Sequence, residues 1–379
     1  MSREKPPSVP YRAPRLPGAD ALRAQFDSIL ESGIWNRGPI VSRFEREFAA
    51  RAGVGDAVLC SSATASLTLL LRADAPEGAI VMPALQFPPV FAALRDSGHE
   101  AIFADVDPRF WTARSPSLSR AVETAGVSMK FVSGFLGAPS FGETASCPGG
   151  EEWGREHAKP VWFDSCHAFG SSLDGRPSGS FGRAEVFSLT PSKLVIAGEG
   201  GVVTTDDQAL AEELRALRDY GKRADGTFDP RGASARASEW TAGLALASLS
   251  LLGDEIDRRN RVIAVYREEL AGTVGIEFQA SDDRLMANGQ ECAIRVDAQA
   301  CGTNRDRLRS ALRAGGVESI PTYLKCLPER RAAFPVACAL EAELLHLPLG
   351  IDVDERVAQR IARSIAEQVA GETPASPPS

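Results

Sequence analysis

Lysine is scarce in this chain: only Lys5, Lys130, Lys159, Lys193, Lys222 and Lys325 occur among 379 residues. The remaining basic charge is arginine in an Ala/Arg-rich composition, so an arginine by itself marks nothing. Positive charge is also outnumbered, with Lys+Arg 42 against Asp+Glu 50 and a formal net charge of −8. Such an acidic balance is a poor match to nucleic acid. No apolar stretch reaches the roughly 20 residues of a membrane helix. The longest runs over Ala242–Leu252, and Met1–Pro10 is polar and Pro-rich rather than signal-like. The seven cysteines (60, 147, 166, 292, 301, 326 and 338) include no CxxC pair and no Cys/His spacing that suits zinc, so they read as reduced thiols and no metal site is expected. Neither GxxxxGK nor a strand-following GxGxxG is present. These absences point away from nucleic-acid, membrane, zinc and nucleotide-cradle proteins, and toward a cytoplasmic one.

What is present is an ordinary globular composition, 44% hydrophobic and 24% charged, long enough for two or three packed units. Ser2–Gly18 reads as an extended Pro-rich arm and Glu372–Ser379 as a frayed tail, neither expected to carry the fold. Helical spacing appears at Ala19–Gly33, Val41–Gly53, Ala63–Leu71, Val90–Asp96 and Asp207–Asp219. Apolar runs at Ala79–Met82, Ala101–Ala104, Val127–Val132, Val161–Phe163, Val186–Leu189 and Gly201–Thr204 read as buried strands. Strands interleaved with helices indicate an α/β layer with a mostly parallel sheet. Beyond about Ala235 two long helical stretches, Trp240–Leu252 and Asp254–Leu270, precede a mixed region ending in Asp354–Val369, the pattern of a smaller α+β domain.

Three constellations carry chemistry. Cys60-Ser61-Ser62-Ala63-Thr64-Ala65-Ser66 runs into a helix, and small residues there let a phosphate reach free backbone amides; read alone, the run is also an ordinary N-cap. Val161-Trp162-Phe163-Asp164-Ser165-Cys166-His167 puts a carboxylate directly after a buried strand, at the sheet edge where open α/β folds bind ligands. A buried Asp164 needs a donor or a cationic nitrogen, although a turn aspartate satisfies the same pattern. His167 is read either as a ligand neighbour or as a satisfied structural group. In Phe187-Ser188-Leu189-Thr190-Pro191-Ser192-Lys193, followed by Gly198-Glu199-Gly200-Gly201, one of the six lysines lies between a strand and a Gly-rich return. Burial there suits Schiff-base chemistry; a surface-turn lysine is the plainer alternative.

In this order and spacing the three motifs resemble those of the fold-type I pyridoxal-phosphate aminotransferases of the DegT/DnrJ/EryC1/StrS family. The likeness runs from about Gly33 to Leu345–Gly350. The resemblance implies a mostly parallel central sheet flanked by helices with a smaller α+β C-terminal domain. It places an arm at 1–18, a large cofactor domain at 19–250, a small domain at 251–371 and a tail at 372–379. It further implies that Lys193 carries the cofactor as a Schiff base, that Asp164 holds its pyridine nitrogen protonated, and that Phe87 stacks on its ring. Ser62, Ala63, Thr64 and Ser188 would bind its phosphate, and His167 would lie beside it. Ala63 stands where the family has Gly. In Gly232–Arg236, Ser234 stands where an Asn usually reaches the neighbouring subunit's phosphate, a contact that would then be either shortened or supplied by Arg236.

The implied protein is a homodimer with shared active sites. Its implied reaction moves an amino group from an amino acid, glutamate first, to a nucleotide-linked 4-keto-6-deoxy sugar. Cyclitol and aminohydroxybenzoate enzymes share the scaffold, and a noncatalytic regulator that binds the cofactor would keep the same residues.

Overall fold

The computed structural model describes residues 8–329 and 331–371; the expected tail at 372–379 lies outside them. Helices α1 (Ala19–Ser32) and α2 (Pro39–Ala52) come first. Each ends at a left-handed glycine, Gly33 and Gly53, and Pro39 opens α2 where a missing N–H costs nothing.

A seven-stranded sheet follows, built from β1 (Asp56–Cys60), β2 (Ala79–Pro83), β3 (Glu100–Ala104), β4 (Val132–Gly137), β5 (Val161–Asp164), β6 (Ala184–Ser188) and β7 (Gly201–Thr205). The spatial order is β1-β7-β6-β5-β4-β2-β3, with β7 antiparallel to both neighbours and the remaining pairs parallel. Helices α3 (Ala63–Asp74), α4 (Pro88–Asp96), α5 (Ser115–Ala125), α6 (Cys147–His157) and α7 (Gln208–Leu217) connect or follow these strands. The expected α/β class with a mostly parallel sheet is therefore what forms. Because β1, β5 and β6 run the same way and β7 starts beside their ends, Ser62, Asp164, Ser188 and Gly201 gather at one edge of the sheet.

Two expectations fail. The strand expected at Val127–Val132 is displaced: Met129–Phe131 is a 3-10 turn with Phe131 exposed, and β4 begins only at Val132. All six residues of β4 are buried, including Ser133, Gly134 and Gly137. A Cβ on Gly134 would lie 2.6 Å from the Trp162 ring and one on Gly137 2.5 Å from the Phe163 ring, so the strand needs small residues that weaken its apolar signal. The second concerns the arm, which does carry structure. Val9 bridges to Val317, the Val9 amide donates to Gly316 O at 3.0 Å, and Val9 and Tyr11 are buried.

Helix α8 (Glu239–Leu249) packs on α1 and α2, whereas α9 (Leu252–Glu269) packs on a later helix, so the packing partner changes across Ser250–Leu251. Strands β8 (Ile276–Phe278), β9 (Cys292–Val296), β10 (Ile320–Pro321) and β11 (Leu344–Leu347) form a second, antiparallel sheet in the order β8-β9-β11-β10. Helices α10 (Arg305–Ala314), α11 (Pro335–Glu343) and α12 (Glu355–Gly371) complete this part. Its core joins Val262 and Tyr266 of α9 to Ile294, Leu345, Ile361 and Ile365, and includes Val9 of the arm. Among the described residues, no helix is long and apolar enough to cross a membrane.

Candidate active site

A cavity of about 370 Å³ opens at the sheet edge, in the size range of small-molecule sites. It is lined by eight of the residues singled out in the sequence: Ser62, Ala63, Thr64, Phe87, Asp164, His167, Ser188 and Lys193. Ser234 and Arg236 are not among them. Ser234 Oγ donates to the Tyr220 hydroxyl at 3.1 Å, while Arg236 pairs with Asp219 and lies over the Tyr220 ring.

One end of the cavity is the start of α3. Ser62 is extended and its side chain caps the Ala65 amide at 3.1 Å. The amides of Ala63 and Thr64 in the first turn are left for a ligand, beside the positive end of the helix dipole. Strand β7 supports this turn at very close range: a Cβ on Gly201 would sit 2.4 Å from Ala63 N and from the Ser62 carbonyl. Ser188 Oγ lies 3.2 Å from Thr190 Oγ1, which lies 3.4 Å from Ser192 Oγ, so three more hydroxyls line the cavity.

Asp164 closes β5. The Cys166 amide donates to its Oδ1 at 3.2 Å, and among the described residues no cation forms an ion pair with it. Burial pushes its pKa up, against the pull of the Cys166 bonds and the Lys193 charge. Lys193 is held down from the ordinary lysine value by burial, opposed by Cys166, Glu291 and Asp164. Among the described residues nothing hydrogen-bonds or pairs with its Nζ. A lysine shifted this way carries more of the neutral, nucleophilic amine at neutral pH.

His167 is 9% exposed, and its pKa is driven well below the ordinary value by burial and then by Lys193. Both ring nitrogens are engaged: Nδ1 accepts from the Phe141 amide at 3.3 Å and Nε2 lies 3.1 Å from the Tyr323 hydroxyl. Phe141 stacks on the ring at 5.8 Å and 11°. Phe87 is 43% exposed and meets Tyr323 edge to face at 5.9 Å.

The chemistry of these donors fits pyridoxal phosphate. Two free helix amides and four hydroxyls suit a phosphate, an uncompensated buried carboxylate suits a protonated pyridine nitrogen, and an unpaired amine suits a carbonyl carbon. Gln86 adds a buried Nε2 with no partner, while its Oε1 accepts from the Phe87 amide at 2.8 Å. Among the described residues no group of three or more His, Cys, Asp or Glu side chains could hold a metal.

Sequence reasoning missed Arg12, Gln86, Thr190, Ser192 and Tyr323 as lining residues. Gln86 adjoins Phe87 and Thr190 lies inside the lysine motif, so both were readable. Arg12 belongs to a Pro-rich arm and Tyr323 to an irregular segment, and neither carries a local signal.

The sequence profile of the DegT/DnrJ/EryC1/StrS aminotransferase family matches residues 19–366. A UDP-N-acetyl-3-dehydro-alpha-D-glucosamine 3-aminotransferase of Acidithiobacillus ferrooxidans is 29% identical over 364 residues, covering 93% of this chain and 95% of that protein. A dTDP-3-amino-3,4,6-trideoxy-alpha-D-glucose transaminase of Streptomyces venezuelae is 27% identical over 366 residues, covering 92% and 93%. Among solved structures, DesI in the presence of its TDP-sugar product superposes with a TM-score of 0.88 at 33% identity, covering 97% of this chain and 94% of that one.

Proposed function

This chain belongs to the DegT/DnrJ/EryC1/StrS aminotransferase family, and from that membership we propose that it moves the amino group of glutamate onto a nucleotide-linked 4-keto-6-deoxy sugar, using Lys193, Asp164 and the α3 cradle. It is a pyridoxal-phosphate-dependent aminotransferase. The observation that carries the reading is the cavity itself, where, among the described residues, Lys193 without a hydrogen-bond partner and Asp164 without an ion-pair partner line the same space as the start of α3.

When bound, the cofactor supplies an electrophilic carbon and an electron sink that makes the donor Cα–H acidic. In our reading Ser62, the Ala63 and Thr64 amides and Ser188 anchor the phosphate. Asp164 holds a proton on the pyridine nitrogen. Lys193 Nζ would hold the cofactor, and its amine, when not so engaged, would accept the proton of the donor Cα and hand it on as general acid. Phe87 and Tyr323 cover one side of the cavity and limit water.

Substrate class rests on two supports. The cavity lining includes the apolar side chains of Phe87, Val90, Ile320 and Leu324, which suit a deoxy sugar's methyl group. DesI, 33% identical, was solved with a TDP-sugar product. We further propose a homodimer in which Ser234 and Arg236 complete the partner's phosphate pocket. In support, exposed Ile34, Trp35 and Tyr220 lie beside Arg37 and Arg236, both of which pair with Asp219. Free thiols at all seven cysteines suit a cytoplasmic setting.

The test is optical. Purified protein should be yellow, bleach with glutamate and recover its colour with a keto-sugar acceptor, whereas Lys193→Ala should lose absorbance and turnover while staying folded. Yellow protein that ignores every amino donor would make it a regulator, and cofactor trapped by borohydride on another peptide would remove Lys193 from its role.

A further inference from the structure

At the wall of the cavity where Arg12 and Tyr323 lie is a buried polar cluster whose central carboxylate has no role in the proposed reaction. Its centre is Glu291, at the edge of β9, with a side chain 5% exposed. Tyr11 donates its hydroxyl to Oε2, and Tyr323 donates to Oε1 at 2.9 Å. His346 Nδ1 lies 3.2 Å from Oε2, and the Arg12 guanidinium lies 3.5 Å from Oε1. Burial alone would raise this carboxyl, but the His346 hydrogen bond and field and the Arg12 charge outweigh it and hold it well below the usual carboxylate range. Glu291 is thus an anion that only accepts. Burial and the Glu291 charge in turn raise both phenols, so Tyr11 and Tyr323 keep their protons and donate them.

The hydrogen-bond directions follow without choice. A backbone N–H can only donate, so the Phe141 amide makes His167 Nδ1 an acceptor. The neutral ring must then carry its proton on Nε2. That proton points at Tyr323 Oη, whose own hydroxyl is already committed to Glu291. We propose that Glu291 is a positioning residue for the transamination site: by holding the Tyr323 hydroxyl as its own donor it leaves Tyr323 Oη to accept the His167 Nε2 proton, and so, together with the Phe141 amide, it holds the tautomer and orientation of the His167 ring, leaving Lys193 as the group that moves protons. The proposal rests on the aminotransferase reading for its kinetic consequence, but not for the tautomer itself.

The cluster also explains why the ring stays still. Phe141 stacks on one face of His167, and Tyr323 meets it edge-on at 5.6 Å and stacks on His346 at 5.2 Å. With both nitrogens engaged, rotation about the ring axis would break two hydrogen bonds at once. Removing the anion changes this. In Glu291→Gln the amide can present N–H to Tyr323, whose hydroxyl then turns to donate to His167 Nε2 and competes for the proton position.

The chain has four histidines, His99, His157, His167 and His346, so nitrogen-15 labelling of histidine gives an assignable spectrum, with His167→Gln as the assignment control. In cofactor-free protein His167 should show a protonated Nε2 and an unprotonated Nδ1. Glu291→Gln should shift or average that pair. In the loaded enzyme it should lower kcat by about ten- to a hundredfold, the range seen when a partner orienting a functional imidazole is lost, with KM for the donor nearly unchanged. Glu291→Asp should restore part of the rate, and Tyr323→Phe combined with Glu291→Gln should be no slower than the worse single variant. Additive losses in the double variant, or an unaltered His167 spectrum in Glu291→Gln, would overturn the proposal. If the wild type transfers no amino group at all, the function proposed above fails, while the cofactor-free spectrum still decides the tautomer.

Discussion

Replacing Gly201 by Ala tests the cradle by sterics alone. The new methyl would fall 2.4 Å from Ala63 N and from Ser62 C and O, all backbone atoms, where contacts closer than 3.4 Å are already tight. Something must therefore move by about 1 Å, and no side chain can swing aside to absorb it. The atoms that must yield are the first amides of α3, capped by Ser62 and followed by a buried helix face of Leu67, Leu70 and Leu71. Overpacking of this kind costs typically about 1–3 kcal/mol of stability. At the ligand the effect is larger in proportion, because a displacement of about 1 Å in a positioning group can cost up to about a hundredfold. We expect the dissociation constant for pyridoxal phosphate to rise about 10- to 100-fold, with a fall of a few degrees in Tm. Titration of cofactor into the cofactor-free protein, followed by absorbance, gives the first value and thermal unfolding the second. Gly198→Ala is the control: Gly198 has a φ of +79° and nothing within 4 Å of the added methyl, so it should lose stability through backbone strain and keep its affinity. Unchanged cofactor affinity in Gly201→Ala, or an equal loss in Gly198→Ala, would refute the reasoning.

Asp164→Asn keeps the shape of the residue and removes its charge; cofactor should still bind, while the half-reaction with glutamate, followed by stopped-flow absorbance, should slow by orders of magnitude. Near-normal rates would reduce Asp164 to a turn residue. Glu143 is 2% exposed, and burial, outweighing Ser146 and the Arg114 charge, pushes its carboxyl up to about 7 from 4.5. Because the folded value is the raised one, its contribution is full below about 4.5 and is lost as pH climbs through about 7, by up to about 3 kcal/mol. Glu143→Gln should thus gain Tm relative to wild type on going from pH 5 to pH 8, and an equal difference at both pH values would contradict the assignment. For the dimer, Lys193→Ala mixed with a weakly active Arg236→Ala variant should recover activity as subunits exchange, since one mixed pocket is then intact; no recovery despite proven exchange would sink the shared site.

The parts of the site written in adjacent residues were legible. Ser62–Thr64, Asp164–His167 and Ser188–Lys193 each follow a strand of the large sheet, and strand ends are where a parallel sheet converges its ligands. The fold class could be read for the same reason, because buried β2, β5 and β7 are apolar runs. Strand β4 was misplaced because close packing against Trp162 and Phe163 selects Gly134 and Gly137, which carry no strand signal. The Glu291 cluster was invisible for a different reason. Tyr11, Glu291, Tyr323 and His346 come from four separate segments, and no periodicity or spacing connects a residue to one 280 positions away.

That distance sets a schedule for the chain's synthesis. Among the described residues, the arm is held mainly by late-made ones: Val9 by Gly316, Tyr11 by Glu291 and Glu318, and Ala13 by the amide of Ile351 at 2.9 Å. At roughly 5–20 residues per second on the ribosome, the arm waits about 17–70 s for its last partner. The large sheet, its lysine and its phosphate cradle are all translated well before then. During that interval Glu291 has Tyr11 and Arg12 already made but lacks Tyr323 and His346, so its set of partners is incomplete. A nascent chain stalled before about residue 350 therefore exposes a lysine-bearing site whose back wall is unfinished, and the arm, made before the large sheet, is among the last segments to dock.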